Sequence, residues 1–513
     1  MCGIFGEIKR IETNNDKINF KNSNEKAMRC KHRGPDNTTD LFSTYHGYHL
    51  YFVFHRLAIN GLDEKSDQPM KFKNITLLCN GEIYNHKELA KQYGIDLMTN
   101  SDCEIIIHLY HIMGIQCIQY LDGVFTFMLF DQTNGLFYVG HDPIGIRSGY
   151  VIKNERSFYV ASEMKSLLGF EGTIEMLAPG SYIEYNLNTH KYLSFKYYHL
   201  EFPIQYTEDE ASMKMIVEYL FKGVKKRLMS DQPLGCLLSG GIDSSIICYI
   251  VSQINNGETV NTFSIGLEGS PDILYAEKVA QYLGTNHLTF IVTEQEMLEA
   301  IEPTIKQIES YDTTTVRASV PMYLLSKKIQ ENTNVKVILS GEGADELSGS
   351  YLYFHNAPSP EEFQTECLRL VNDVQHFDVL RGDKTTAGNG LEIRVPFFDK
   401  EFVKHYMSID PKLKVVRGGY EKYLLRRAFE RKLPDEVIWR RKDGFSDGVS
   451  KQEKPWYQII DEYTQGNYGF TEDEYYKSIF KKYYPNKEYI VPYQWLPKWT
   501  DQKNPSNRLI LYP

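Results

Sequence analysis

Leu237-Leu238-Ser239-Gly240-Gly241-Ile242-Asp243-Ser244-Ser245 stops an apolar run at two glycines, at a point where a helix can begin. The residues before it, Pro233 to Leu238, read as a buried strand, and Ser244 to Gln253 carry a helical pattern. Ser239, Gly240 and Gly241 let the backbone come close to an anion. The N–H groups opening the helix, together with Ser244 and Ser245, can hold phosphate oxygens. A Walker A loop is excluded, because that motif ends in Gly-Lys-Ser/Thr and Asp243 stands where its lysine would be. An acid there suits a metal bound to pyrophosphate.

Downstream of this loop, strand and helix patterns alternate. Val260 to Leu267 reads as a strand, and the next helix sets Ile273, Ala276, Val279, Ala280 and Leu283 on one face. Val335 to Leu339 is another buried strand, ending in Ser340-Gly341-Glu342-Gly343-Ala344-Asp345-Glu346. Such alternation predicts an α/β domain built on a parallel sheet, with ligands at the carboxyl ends of the strands. Asp243 and Asp345, each in a glycine-containing break, would then converge on one magnesium bridging the β- and γ-phosphates of ATP. Glu342, without a metal, would act as a proton acceptor beside the anion that develops there. Lys422 and the run Arg440-Arg441-Lys442 are the cations that would neutralise departing pyrophosphate.

Upstream the pattern is different. Glu201 to Glu210, polar and carrying Pro203, reads as a linker, with an amphipathic helix over Met213 to Leu228 behind it and short strands before it. At the N-terminus a thiol, Cys2, follows the initiator methionine. Removal of Met1 would give Cys2 a free α-amine, with a pKa of roughly 7.7–8.0, able to take the thiol proton. His49 to Phe54 reads as a strand leading to Arg56-Leu57-Ala58-Ile59, and Ile75 to Cys79 as an apolar run that breaks in a turn at Asn80-Gly81-Glu82. With Ser101-Asp102 these supply what an amide hydrolase acting on an amino acid needs. Cys2 attacks the side-chain amide, the Asn80 side chain and the Gly81 N–H form an oxyanion hole, Arg56 pairs with the α-carboxylate and Asp102 with the α-ammonium.

These segments, with Cys2-Gly3-Ile4, Arg33-Gly34-Pro35-Asp36 and Asn80-Gly81-Glu82 in order, resemble class II glutamine amidotransferase domains. The resemblance implies an N-terminal-nucleophile fold of two antiparallel sheets between helices. It also implies a glutamine pocket along Arg56, Leu57, Ala58, Ile59 and Asn60 with Asn80, Gly81, Glu82 and Asp102. Ser148-Gly149 departs from the Pro-Leu common in that family. The loop at Ser239 resembles the pyrophosphate loop of ATP pyrophosphatases, and the second half is similar to the synthetase domain of glutamine-hydrolysing asparagine synthetases. That match runs through Glu309 to Ser319, Ser340 to Glu346, Glu421-Lys422 and Trp495 to Trp499. It implies that Leu237, Ile265, Ser340 and Gly341 border the nucleotide, that Glu342 is critical after adenylation and that Lys422 meets pyrophosphate. Ile242 and Gly388-Asn389-Gly390 are mild departures. Arg317 is the candidate for part of the hold on one carboxylate of the acceptor amino acid, with an internal salt bridge that keeps its loop in place as the other reading.

Domains over residues 2–200 and 210–513 follow, with glutamine, aspartate and ATP as substrates and a homodimer left open. The 513 residues exceed what one core organises, and 42% apolar content supports two. A formal charge of -10 without a long basic block argues against nucleic acid. Eight scattered cysteines show neither metal spacing nor a secreted disulfide framework, so a reducing cytoplasm is expected. No apolar run near twenty residues points to a membrane. An adenylating amidotransferase for another carboxylate is the alternative reading.

Overall fold

The computed structural model describes residues 1–12, 18–255, 257–441, 443–502 and 504–506. The chain separates into two compact units. The first comprises Met1–His199 with Met229–Gln232 and Ala387–Glu392, and the second Leu200–Leu228, Pro233–Thr386 and the chain from Ile393 onward.

Twelve strands build the first unit: β1 Gly3–Arg10, β2 Asn37–Tyr45, β3 Tyr48–Arg56, β4 Met70–Phe72, β5 Ile75–Ile83, β6 Gly123–Asp131, β7 Leu136–His141, β8 Tyr150–Lys153, β9 Ser157–Ala161, β10 Ile174–Met176, β11 Ser181–Asn186 and β12 Lys191–Lys196. They form two six-stranded sheets, ordered β10-β8-β9-β1-β3-β2 and β12-β11-β7-β6-β5-β4. Every pairing found within them is antiparallel. Alternate residues explain the sandwich: Ile4 and Ile8 of β1, Leu50, Phe52 and Phe54 of β3, Met128 and Phe130 of β6, and Phe137 and Val139 of β7 share one buried cluster between the sheets. The opposite faces of β5 and β6, with Leu77, Cys79, Phe125, Phe127 and Leu129, pack under the helix Glu104–Met113 through Ile105, Ile106 and Leu109. On the first sheet the helix Phe20–Ala27 is tied to β1 by Ser23 Oγ donating to Glu7 Oε2 at 2.5 Å. The N-terminal-nucleophile arrangement of two antiparallel sheets between helices is thus present.

One expectation is corrected. Asn80-Gly81 is no turn, because β5 runs on through Ile83, with Gly81 opposite Phe125 of β6. A Cβ on Gly81 would lie 2.2 Å from the Val124 carbonyl oxygen, so glycine is needed there for close strand approach, not for chain reversal.

In the second unit β13 Leu234–Leu237, β14 Asn261–Leu267, β15 Asn286–Val292, β16 Val337–Leu339 and β17 Glu392–Arg394 form one sheet, ordered β15-β14-β13-β16-β17. Its pairs β14/β15, β13/β14 and β13/β16 are parallel, as the alternating pattern predicts. The helix Ile242–Ile254 follows β13, and the helix Pro271–Leu283 buries Ile273, Ala276, Val279 and Ala280. The next helix after the linker begins at Asp209, ahead of the expected Met213. Among the described residues no helix is long and apolar enough to cross a membrane, and all eight cysteines are free thiols.

Candidate active sites

In the first unit Cys2 directly precedes β1, which is paired on both sides, to β3 and to β9. The Cys2 carbonyl accepts from Arg33 Nε at 2.9 Å, and Arg33, fully buried, donates from Nη1 to Glu163 Oε1 at 3.1 Å. This Arg33–Glu163 anchor of the Cys2 backbone was not assigned from sequence. The two residues lie 130 positions apart. Cys2 Sγ faces the Leu57 carbonyl oxygen at 3.7 Å. Burial pushes the thiol up to about 11, while the charged terminal amine pulls the other way. The amine, here that of Met1, is lowered to about 6 by burial.

Asn80 is fully buried, and neither its amide nitrogen nor its amide oxygen has a hydrogen-bond partner. Such an orphan is costly unless a ligand completes it, which is what an oxyanion-hole donor requires. Asp102 Oδ2 accepts from the Ile83 N–H at 2.6 Å and Oδ1 from Asn60 Nδ2 at 3.3 Å; Asn60 also donates to Glu82. Asn60, Glu82 and Asp102 therefore form one polar cluster beside the end of β5. Arg56 is committed internally: it pairs with Asp67 at 2.6 Å and donates to the carbonyl oxygens of Asp63 and Gly61. The Ala58 N–H is held by Asp36 Oδ2 at 2.8 Å, and Ile59 is buried.

The second unit holds a cavity of about 180 Å³ at the carboxyl ends of β13, β14 and β16. Leu237, Ser239, Gly241, Asp243, Ser244, Ile265, Ser340, Gly341, Glu342 and Asp345 all line it. Gly240, Ser245 and Lys422 do not. Gly240 takes φ +69° against Tyr275, a conformation and a clearance only glycine allows. Ser245 Oγ donates to the Gly241 carbonyl at 2.7 Å. The two breaks pack on each other, since a Cβ on Gly341 would lie 2.7 Å from the Ser244 nitrogen.

Asp243 and Asp345 do converge. Lys422 Nζ, buried, sits 2.5 Å from Asp243 Oδ2 and 2.5 Å from Asp345 Oδ1. Asp243 Oδ1 is buried without a partner. Two carboxylates held together by one cation, one of them with an oxygen free, fit a magnesium that takes one or two carboxylates and completes its shell with phosphate oxygens. Glu342 is bound by Arg381 at 2.5 Å, and Arg381 also pairs with Asp378 at 2.8 Å. Burial pushes the Glu342 carboxyl up to about 7; Arg381 opposes this, and Asp378 and Asp345 add to it. Glu346, raised chiefly by burial, accepts from the Tyr351 hydroxyl. Arg440 is tied to Asp272 at 2.7 Å, Arg441 lines the cavity, and Lys442 lies outside the described residues.

Of the two readings of Arg317, the structure shows the internal salt bridge. Arg317 is outside the cavity lining, and its guanidinium is bound to both oxygens of Glu472 and to Asn504, with its face over Tyr457. It braces the C-terminal helices. Asp378 and Arg381 were missed, although their spacing of three on a helical segment places them on one face.

One unit thus carries a buried, orphaned amide and the other a cavity lined by acids at the ends of parallel strands, the parts an amidotransferase joined to a nucleotide-using domain would need. The glutamine amidotransferase domain pattern matches residues 1–200, and the asparagine synthase pattern residues 216–366 and 357–489. Three relatives named asparagine synthetase [glutamine-hydrolyzing] are similar over nearly their whole length. That of Cricetulus griseus is 39% identical, over 95% of both chains. That of Gallus gallus is 39% identical, over 94% of this chain and 95% of that protein. That of Homo sapiens is 38% identical, over 95% of both. The chain belongs to the glutamine-hydrolysing asparagine synthetase family.

Proposed function

We propose that the chain converts ATP, aspartate, glutamine and water to AMP, pyrophosphate, asparagine and glutamate. The observation that carries this reading is the cavity in which Asp243, Asp345 and Glu342 stand together at the ends of parallel strands. In a 2–200 glutaminase domain, Cys2, freed of Met1, attacks the glutamine amide, its α-amine taking the thiol proton. Asn80 and Gly81 then hold the developing oxyanion; its collapse breaks the C–N bond, ammonia leaving with the proton the α-amine took, and water cleaves the resulting thioester to glutamate and free Cys2. Arg56 and Asp102 receive the α-carboxylate and α-ammonium, with Leu57 to Asn60 and Glu82 completing the pocket. For Arg56 this requires glutamine to draw the guanidinium from Asp67, its partner at 2.6 Å.

In a 210–513 synthetase domain, ATP lies against Leu237, Ile265, Ser340 and Gly341 with its phosphates over the loop Ser239–Ser245. The β-carboxylate of aspartate attacks the α-phosphate to give β-aspartyl-AMP. Asp243 and Asp345 would hold a magnesium ion, which would supply charge compensation to the triphosphate, and Lys422 neutralises departing pyrophosphate. Ammonia from the first reaction displaces AMP, and Glu342 takes the proton that ammonia loses, a role suited to a carboxyl raised to about 7. Eight free thiols support a reducing, cytoplasmic setting. A homodimer is the assembly included in this reading, checked by sedimentation.

The test is product analysis with ATP, magnesium, glutamine and a panel of carboxylates. Aspartate labelled with oxygen-18 in its β-carboxylate is expected to pass label into AMP. Label-free AMP, or equal turnover with glutamate or unrelated acids, would refute the reading in favour of an adenylating amidotransferase for another carboxylate.

A further inference from the structure

Asp378 and Arg381 both line the second unit's cavity, one turn apart on the helix Asp378–Ala387. Arg381 is nine-tenths buried, and its Nη2 is shared between Glu342 and Asp378 at 2.5 and 2.8 Å. Its Nε is also buried, yet has no hydrogen-bond partner. A guanidinium N–H shut away from water in this manner is a donor awaiting an acceptor.

The other cations lining the cavity are engaged. Arg426 bonds the carbonyl oxygens of Glu421, Ile438 and Arg440, Arg440 is tied to Asp272, and Arg441 has partners of its own. Lys422, outside the lining, pairs with Asp243 and Asp345. Arg381 is therefore the cation available beside Glu342, and Asp378 is the acid next to it. A zwitterion with its ammonium and carboxylate on one carbon matches that acid–base pair.

We propose that Asp378 and Arg381 read the α-amino-acid end of the acceptor, Asp378 taking the α-ammonium and Arg381, through Nε, the α-carboxylate. The second carboxylate is thereby directed to the nucleotide side, next to Ser340 and Gly341. This assignment rests on the acceptor being an amino dicarboxylate, as in the function given above. It replaces Arg317 as the source of the acceptor's cation.

The experiment compares aspartate with two truncated forms, succinate, which lacks the ammonium, and β-alanine, which lacks the α-carboxylate. With ammonia as nitrogen donor and the full chain, the aspartate KM is measured together with the inhibition constants of both analogues. In the unaltered protein each analogue is expected to bind at least about 100-fold more weakly than aspartate. In Asp378→Asn, aspartate and succinate are expected to converge to within about tenfold; in Arg381→Gln, aspartate and β-alanine. Each variant should lose discrimination against its own analogue alone. Should either variant fail to fold, judged by tryptophan fluorescence, Asp378→Ser and Arg381→Met give the same comparison. Discrimination retained in the variants, or lost equally against both analogues, overturns the assignment. Absence of aspartate-dependent AMP formation in the unaltered protein would instead overturn the function on which it rests.

Discussion

Replacing Glu342 by glutamine separates what this residue costs the fold from what it does in the reaction. Its carboxyl is raised from an ordinary 4.5 to about 7, by burial first of all, so the folded chain binds this proton more tightly than the unfolded chain does. The linkage sign follows. The stabilisation is fully present below about pH 4.5 and is lost as pH rises through about 7. At about 1.4 kcal/mol per pH unit, the loss across that window is about 3 kcal/mol. Glutamine does not titrate, so the stability of the unaltered protein relative to Glu342→Gln should fall by that amount. Arg381 loses one partner in the variant, which shifts the difference by a constant and leaves its slope alone. The assay is urea unfolding followed by tryptophan fluorescence from pH 5 to 7.5. Trp439, Trp456, Trp495 and Trp499, the only tryptophans in the sequence, all lie in the second unit. A difference that stays flat over this range would refute the account. The same variant should lose asparagine formation with either nitrogen donor while still hydrolysing glutamine.

Cys2→Ala is expected to abolish glutamine-dependent synthesis and keep ammonia-dependent synthesis; equal loss with both donors would contradict two separate chemistries. Asp243→Asn and Asp345→Asn should each stop ATP-dependent synthesis and spare glutamate release from glutamine, read by assaying both products in one sample. Asn80→Ala should lower the glutaminase kcat by about 100- to 1000-fold. The melting temperature should barely fall, since both Asn80 amide atoms are unpartnered in the fold. A large drop in stability with little change in kcat would show a structural amide instead.

Local signals carried much of this reading. An apolar run ending in Ser239-Gly240-Gly241 states its own geometry, because strand, glycine break and helix start lie within a dozen residues. The second break, at Ser340, is legible for the same reason, and parallel strands bring Asp243 and Asp345 to one cation. Asn80-Gly81 was misread because a dipeptide signals a turn only when no partner strand claims it, and β6 begins some forty residues later. For Arg317 two readings stayed open in the sequence because its partner, Glu472, is 155 residues away. Asp378 and Arg381 sit in no motif that marks them. Their proximity to Glu342 arises only when the chain returns to the cavity.

Chain ends commonly fray, and molecular biologists exploit this by hanging purification handles on them. Here the eight residues after Cys2 are the interior of a sheet, hydrogen-bonded along both edges, and Met1 is 1% exposed. A handle fused ahead of Met1 would have to start from inside the protein. It would also leave the cysteine amine locked in a peptide bond. Recombinant material for every assay above therefore needs its tag at the other end of the chain, or a protease site that leaves Cys2 as the first residue.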